Sequence, residues 1–163
     1  MRTLRVADLE AKPGEKVSGY VHVIGAEFGI PVTLICGEKE GGTVLISGGV
    51  HNAEYVGIQA AMQLADELDP KKIAGNIIVI RLMNRTGFEH RTMSLTYEDG
   101  KNLNRVFPGN PNGTLSDRIA YTVVIEFFQK ADYYVDLHCG DGFEGLVSYV
   151  YCTGAATPEV AAK

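Results

Sequence analysis

The chain has 163 residues, with 20 acidic and 15 basic side chains for a formal charge of -5, and 45% of its residues are hydrophobic. That make-up fits one globular domain with a sizeable core. Charged residues are 21% of the total and both signs are scattered along the chain, which excludes a low-complexity polymer and a basic nucleic-acid footprint.

In chain order, a turn at Pro13-Gly14 leads into Val17–Ile24, where Val17, Gly19, Val21 and Val23 alternate with other residues, and a second β-rich run covers Ile30–Ile35. Period two with β-branched enrichment predicts strands. Thr43–Ser47 is a short apolar run between glycines and reads as a buried strand. From Ala53 to Leu68 the apolar residues Ile58, Ala61, Met62, Ala65 and Leu68 recur at helical spacing, with Pro70 just beyond; this predicts a helix ending before the proline. Asn76–Leu82 is a further buried strand, so strand, helix and strand form the crossover unit of a parallel pair. About thirty residues, Met83 to Gly113, are rich in Asn, Arg, Gly and Pro without periodicity, the pattern of a long functional loop. A helical face at Ile119, Val123, Phe127 and Lys130, capped near Thr114–Ser116, leads to the strand Tyr133–Leu137. The fold class is therefore α/β. No apolar run approaches the roughly 20 residues of a spanning helix, and the polar first fifteen residues lack the apolar core of a secretory signal, so no membrane contact and a cytoplasmic location are expected. Cys36, Cys139 and Cys152 are odd in number and unpaired in spacing, which argues against a disulfide framework or a thiolate zinc knuckle and for buried thiols.

Two ionisable clusters follow strands. Gly48–Glu54 closes Val44–Ser47 and opens a helix, placing His51 and Glu54 three apart at the mouth of the sheet, where open α/β sheets bind ligands. Asp136-Leu137-His138 ends the strand from Tyr133; if that strand runs parallel to the first, His138 emerges at the same edge. Two histidines and a glutamate with one open position are a catalytic zinc set. Asp136 is then the carboxylate that takes the other ring N–H of His138. The residues alone also fit a capping histidine at 51, a first-turn carboxylate at 54 and a core histidine at 138. His22 and His90 lack a comparable context. In Asn102–Gly109, with Arg91 upstream, an Arg/Asn pair on a long loop suits a carboxylate, although Arg105 could equally pair with Asp99 or Glu98 and pin the loop.

Taken in order, the motifs Gly49-Val50-His51-Asn52-Ala53-Glu54, Asn84 with Gly87-Phe88-Glu89, Asp99–Gly109, and Asp136-Leu137-His138 with Gly140-Asp141 resemble the succinylglutamate desuccinylase/aspartoacylase family, a branch of the zinc carboxypeptidase superfamily. The resemblance covers about Gly14 to Gly154. It implies a three-layer α/β/α mixed sheet of zinc-carboxypeptidase type, with residues 1–163 as the N-terminal part of the catalytic domain, truncated after the third metal ligand. It implies one Zn2+ per chain on His51, Glu54 and His138, substrate carboxylate binding by Asn104 and Arg105, and carbonyl polarisation by Arg91, although many members carry that arginine two positions later, at Met93. The implied function is zinc-dependent hydrolysis of the amide bond in a small anionic N-acyl amino acid. The alternatives are a carboxypeptidase acting on peptides and a metal-binding fragment without activity; homo-oligomerisation is left open.

Departures from the family pattern carry expectations of their own. Asn52 replaces a usual glycine and is expected to take a left-handed backbone, which Asn tolerates. Asn102 replaces a usual aspartate and is expected to accept a hydrogen bond from His51 without adding negative charge. The general-base glutamate of the family falls beyond His138 in a C-terminal portion, and no residue here matches it; Glu144 is expected to be a surface group or one supporting the metal ligands. Residues from Thr157 to Lys163 look like the start of a helix.

Overall fold

The computed structural model describes residues 3–151. A small antiparallel hairpin, β1 (Leu4–Val6) and β2 (Leu9–Ala11), precedes the main sheet. That sheet is built from β3 (Lys16–His22), β4 (Gly29–Cys36), β5 (Lys39–Gly48), β6 (Ala74–Ile80) and β7 (Tyr133–Leu137), in the order β3-β4-β6-β5-β7. Pairing is antiparallel from β3 through β4 to β6, while β5 runs parallel to both β6 and β7. The helices are α1 (Tyr55–Glu67), α2 (Arg85–His90) and α3 (Leu115–Glu126). None of the described helices is long and apolar enough to cross a membrane.

Strand periodicity decides the layers, because successive side chains point to opposite faces. Val32, Leu34, Leu45, Ile78 and Ile80 face one side, where Ile119, Ala120 and Val123 of α3 and Phe127 just past its end cover them and Leu4, Val6 and Ala11 of the hairpin extend the cover. Ile35 and Val79 face the other side and meet Ala61 and Ala65 of α1. From β5 the chain crosses through α1 to β6, then returns through α3 to β7 on the opposite flank of β5. Crossovers between parallel strands are right-handed, so a reversal of direction puts the two helices on opposite faces, as observed. The reversal also makes β5 a switch point, with the carboxyl ends of β5, β6 and β7 opening at one edge.

The predicted elements recur with shifted ends. The first helix starts at Tyr55, not Ala53, because Glu54 occupies the N-cap position and its side chain makes no capping bond. The strand predicted to Leu82 ends at Ile80. The last helix stops at Glu126, and Phe128–Lys130 forms a separate 3-10 turn. Its start is held at Thr114, whose N–H and hydroxyl both donate to Asp117 Oδ2, at 3.0 and 2.8 Å. The stretch expected to be irregular contains α2 and a 3-10 turn at Leu103–Arg105. β7 lies at an edge and is largely exposed at Tyr133, Tyr134 and Val135. Of the cysteines, Cys36 is buried, Cys139 is only half-buried, contrary to expectation, and Cys152 lies outside the described residues, as does the expected helix start at 157–163.

Two glycines bring α1 unusually near the sheet. A Cβ at Gly57 would stand 2.6 Å from the carbonyl oxygen of Leu137, and one at Gly48 would stand 2.9 Å from that of Gly57. Helix α1 therefore rests directly on the ends of β5 and β7, at a separation that only glycine permits.

Candidate metal centre

The parallel register of β5 and β7 pairs Ser47 with Asp136 and Gly48 with Leu137, so the residues beyond them leave the sheet side by side. After β5 the chain turns at Gly49, whose φ of 71° is left-handed and suits a residue without a Cβ. The turn delivers His51 and Glu54 ahead of α1; His138 follows β7 directly. Their candidate ligand atoms all lie within 4.8 Å of one another. His51 Nδ1 stands 2.7 Å from Glu54 Oε1, and His138 Nδ1 stands 2.9 Å from Glu54 Oε2. Glu54 is buried, His51 half-buried and His138 exposed, which leaves one side of the cluster open to solvent.

Hydrogen-bond partners assign the ring nitrogens. The backbone N–H of Asn104 can only donate, and it meets Asn102 Oδ1 at 2.9 Å. The same oxygen lies 3.2 Å from His51 Nε2, so that nitrogen carries the proton and Nδ1 is left for the cluster. His138 Nε2 donates to Asp136 Oδ2 at 2.9 Å, and its Nδ1 also turns inward. Asp136 is held in turn, since Ser47 Oγ donates to its Oδ1 and Tyr134 Oη donates to Ser47 Oγ at 2.7 Å. Each ring thus has one nitrogen tied off and the other presented, the usual way a protein orients metal-binding imidazoles. Cys139 N–H donates to Glu54 Oε2 at 3.0 Å, offsetting part of the cost of burying that carboxylate.

Electrostatics favour a cation between the three residues. The hydrogen bond to Asp136, opposed by partial burial and reinforced by the charges of Asp136 and Glu54, raises the pKa of His138 above the ordinary histidine value. Two imidazoles and one carboxylate around an open side fit zinc better than calcium or magnesium, which prefer all-oxygen shells.

None of the remaining candidates bonds to this cluster among the described residues. Arg91 is exposed at the C-terminal end of α2, in the left-handed conformation (φ 57°), and its side chain has no partner among the described residues. Met93, also left-handed at φ 59°, accepts the Ala53 N–H at 3.0 Å, which ties the Arg91 segment to the loop between His51 and Glu54. Asn104 and the exposed Arg105 sit on the 3-10 turn that Asn102 caps. Neither pinning partner is engaged with Arg105. Glu98 accepts from Thr86 Oγ1 at 2.8 Å, and Asp99 accepts from the N–H and hydroxyl of Ser116 at 2.8 and 2.7 Å. The Arg105 guanidinium instead donates to the Asn104 carbonyl at 3.0 Å and has no acidic partner among the described residues. Glu144 is exposed, as expected.

Asn52 corrects its expectation, for its backbone is not left-handed. Its side chain is 1% exposed, and Oδ1 accepts from Asn84 Nδ2 at 3.1 Å. Asn84 Oδ1 in turn accepts the Gly87 N–H at 3.2 Å, capping α2. Sequence reasoning also missed Ser47 and Tyr134 behind Asp136; Ser47 facing Asp136 across a parallel pair was the available signal.

An open α/β sheet thus carries a His, Glu, His cluster able to hold a metal ion at the carboxyl ends of its strands, beside the switch point. Residues 40–160 match the succinylglutamate desuccinylase/aspartoacylase catalytic domain, and the chain belongs to that family. It is 37% identical over 113 residues to N-alpha-acetyl-L-2,4-diaminobutyric acid deacetylase of Halomonas elongata, covering 68% of this chain and 32% of that protein. Among solved structures, the succinylglutamate desuccinylase/aspartoacylase of Rhodobacter sphaeroides superposes with a TM-score of 0.73 at 31% identity, over 85% of this chain and 44% of that one. An aspartoacylase family protein of Mesorhizobium loti gives 0.71 at 34%, over 85% and 43%. The product-bound ectoine utilization protein EutE (DoeB) of Ruegeria pomeroyi gives 0.70 at 29%, over 83% and 43%. The chain thus spans about a third of the curated relative and less than half of each solved one.

Proposed function

We propose that this chain forms the metal-binding part of a zinc-dependent hydrolase that cleaves the amide bond of a small, anionic N-acyl amino acid. The observation that carries the reading is the convergence of His51 Nδ1, His138 Nδ1 and the Glu54 carboxylate, with both outer ring nitrogens already bonded. Zinc held there would supply a Lewis acid and a bound water of lowered pKa. Arg105, which has no acidic partner among the described residues, and Asn104 beside it would receive the substrate carboxylate through directional, charge-assisted bonds. Arg91, whose guanidinium has no partner among the described residues and which lies on a segment tied to Ala53, would meet the charge that develops on the carbonyl oxygen. Glu54 and Asp136 are both committed to the histidines, so the reading assigns the proton-accepting carboxylate to a segment outside the described residues. Deacetylation of an N-acetylated amino acid by the Halomonas relative supports the substrate class.

Elemental analysis tests the metal site. One equivalent of zinc per chain is expected, lost in both His51→Ala and His138→Ala; full occupancy in either variant would remove that residue from the ligand set. With zinc bound, Arg105→Ala should weaken binding of an N-acetyl amino acid by about 1.5–3 kcal/mol, the worth of a charged hydrogen bond. Unchanged affinity by calorimetry would remove the carboxylate assignment.

A further inference from the structure

We propose that Asn102 is a positioning residue that couples metal binding at His51 to anion binding at the Asn104–Arg105 turn. The inference rests on the proposed roles of those residues and adds a link between them. Asn102 Oδ1 has two lone pairs, and both are used: one takes the His51 Nε2 proton at 3.2 Å, the other the Asn104 N–H at 2.9 Å. A single atom therefore orients the first metal ligand and starts the turn that carries the anion-binding pair.

The turn depends on that atom. A 3-10 turn of three residues has little stability of its own, and this one is anchored through Leu103, which is 0% exposed in the core, and through the Asn102 cap. An isolated antiparallel bridge to Leu95 steadies the capping residue from outside the turn. When a cation draws electron density from His51 Nδ1, Nε2–H becomes a stronger donor and tightens its bond to Oδ1. Because the Asn104 N–H shares that oxygen, metal uptake should reach the turn, and by linkage an anion on the turn should tighten the metal.

The amide also decides the charge. A carboxylate at this position would accept both bonds but would stand three residues from Arg105, which has no acidic partner among the described residues, since Glu98 and Asp99 are engaged elsewhere. The neutral acceptor keeps the positive field for the ligand, at some cost in metal affinity.

Two variants and two readouts test the coupling. Zinc affinity is measured by competition with a chelator. The turn is followed through the Asn104 and Arg105 amide resonances during titration with zinc and then with N-acetylglycine. Asn102→Ala should lower zinc affinity by about 10- to 100-fold and should abolish the zinc-induced shift of the Asn104 resonance. Asn102→Asp should restore zinc affinity to at least the original level while weakening N-acetylglycine binding several-fold. Zinc affinity unchanged in Asn102→Ala, a persistent Asn104 shift in that variant, or undiminished N-acetylglycine binding in Asn102→Asp would each overturn the coupling while leaving the metal site intact. No zinc uptake by the unsubstituted chain would overturn the metal-site reading and the coupling with it. Asn102→Asp retains the cap, so the test stands even if the alanine variant folds poorly.

Discussion

Two irregular segments flank the His51–Glu54–His138 cluster, and they are held very differently. Between β6 and α3 the chain is ordered by buried anchors. Met83, Leu103 and Thr96 are inaccessible, Asn84 is bonded on both sides, and Asp99 grips the start of α3. Hydrogen bonds outweigh the upward push of burial on the Asp99 carboxyl, so its pKa lies below the ordinary value. After β7 the chain turns at residues 141–144 and runs on to Tyr151 without regular secondary structure, with Phe143, Val147, Val150 and Tyr151 strongly exposed. Near its start this second segment is tied by Ser94 Oγ donating to Asp141 Oδ2 and by Gly142 N–H donating to the Ala53 carbonyl. Lack of regular secondary structure does not imply lack of order; what separates the segments is how many polar and apolar groups each buries.

That contrast can be broken or sharpened, from the largest effect downwards. Leu103→Ala removes the apolar anchor of the first segment and should cost about 2–5 kcal/mol by chemical denaturation, as for other buried leucines. A loss below about 1 kcal/mol would show the turn to be held by its polar bonds alone. Asn84→Ala deletes the α2 cap and leaves Asn52 Oδ1 without its donor, for about 1–3 kcal/mol. Asp136→Asn should lower zinc affinity about 10-fold or more and change its pH dependence. The raised pKa of His138 means that, in the metal-free chain, the proton on this ring stabilises the fold below the ordinary histidine value, and that stabilisation is lost as pH climbs through the raised pKa. Zinc must displace that proton, so affinity should rise with pH across this window. With Asp136→Asn the rise should move to lower pH; an unmoved profile would show that another group controls it. In the second segment, Phe143→Ser and Val147→Ser should each change stability by less than about 0.5 kcal/mol, as surface substitutions do.

Much of this arrangement is legible in the residues, and the gaps have physical causes. Period two marks β3 and β4, the apolar run marks β5, and the stripe Ile58, Ala61, Ala65 marks α1, because burial on one face imposes those spacings. The β1–β2 hairpin escapes notice because three-residue strands are too short to show a period. Helix α2 escapes because its six residues, RTGFEH, are ordered by the Asn84 cap and not by an apolar stripe. At the site, His51, Glu54 and His138 can be picked out singly, but their meeting requires β5 parallel to β7, a tertiary fact. Asn52 misleads because a residue in place of glycine suggests a backbone role, while its side chain has a buried partner.

The close rest of α1 on the sheet also reaches the His51–Glu54–His138 cluster. Glu54 heads that helix and His138 follows the strand whose last carbonyl Gly57 touches. A methyl group at position 57 would act as a wedge, lifting the helix from the end of β7 and carrying one prospective ligand away from another. In this chain the span between two coordinating side chains is gauged by a carbon atom that is absent, and a metal titration of Gly57→Ala would read the thickness of that wedge as lost affinity.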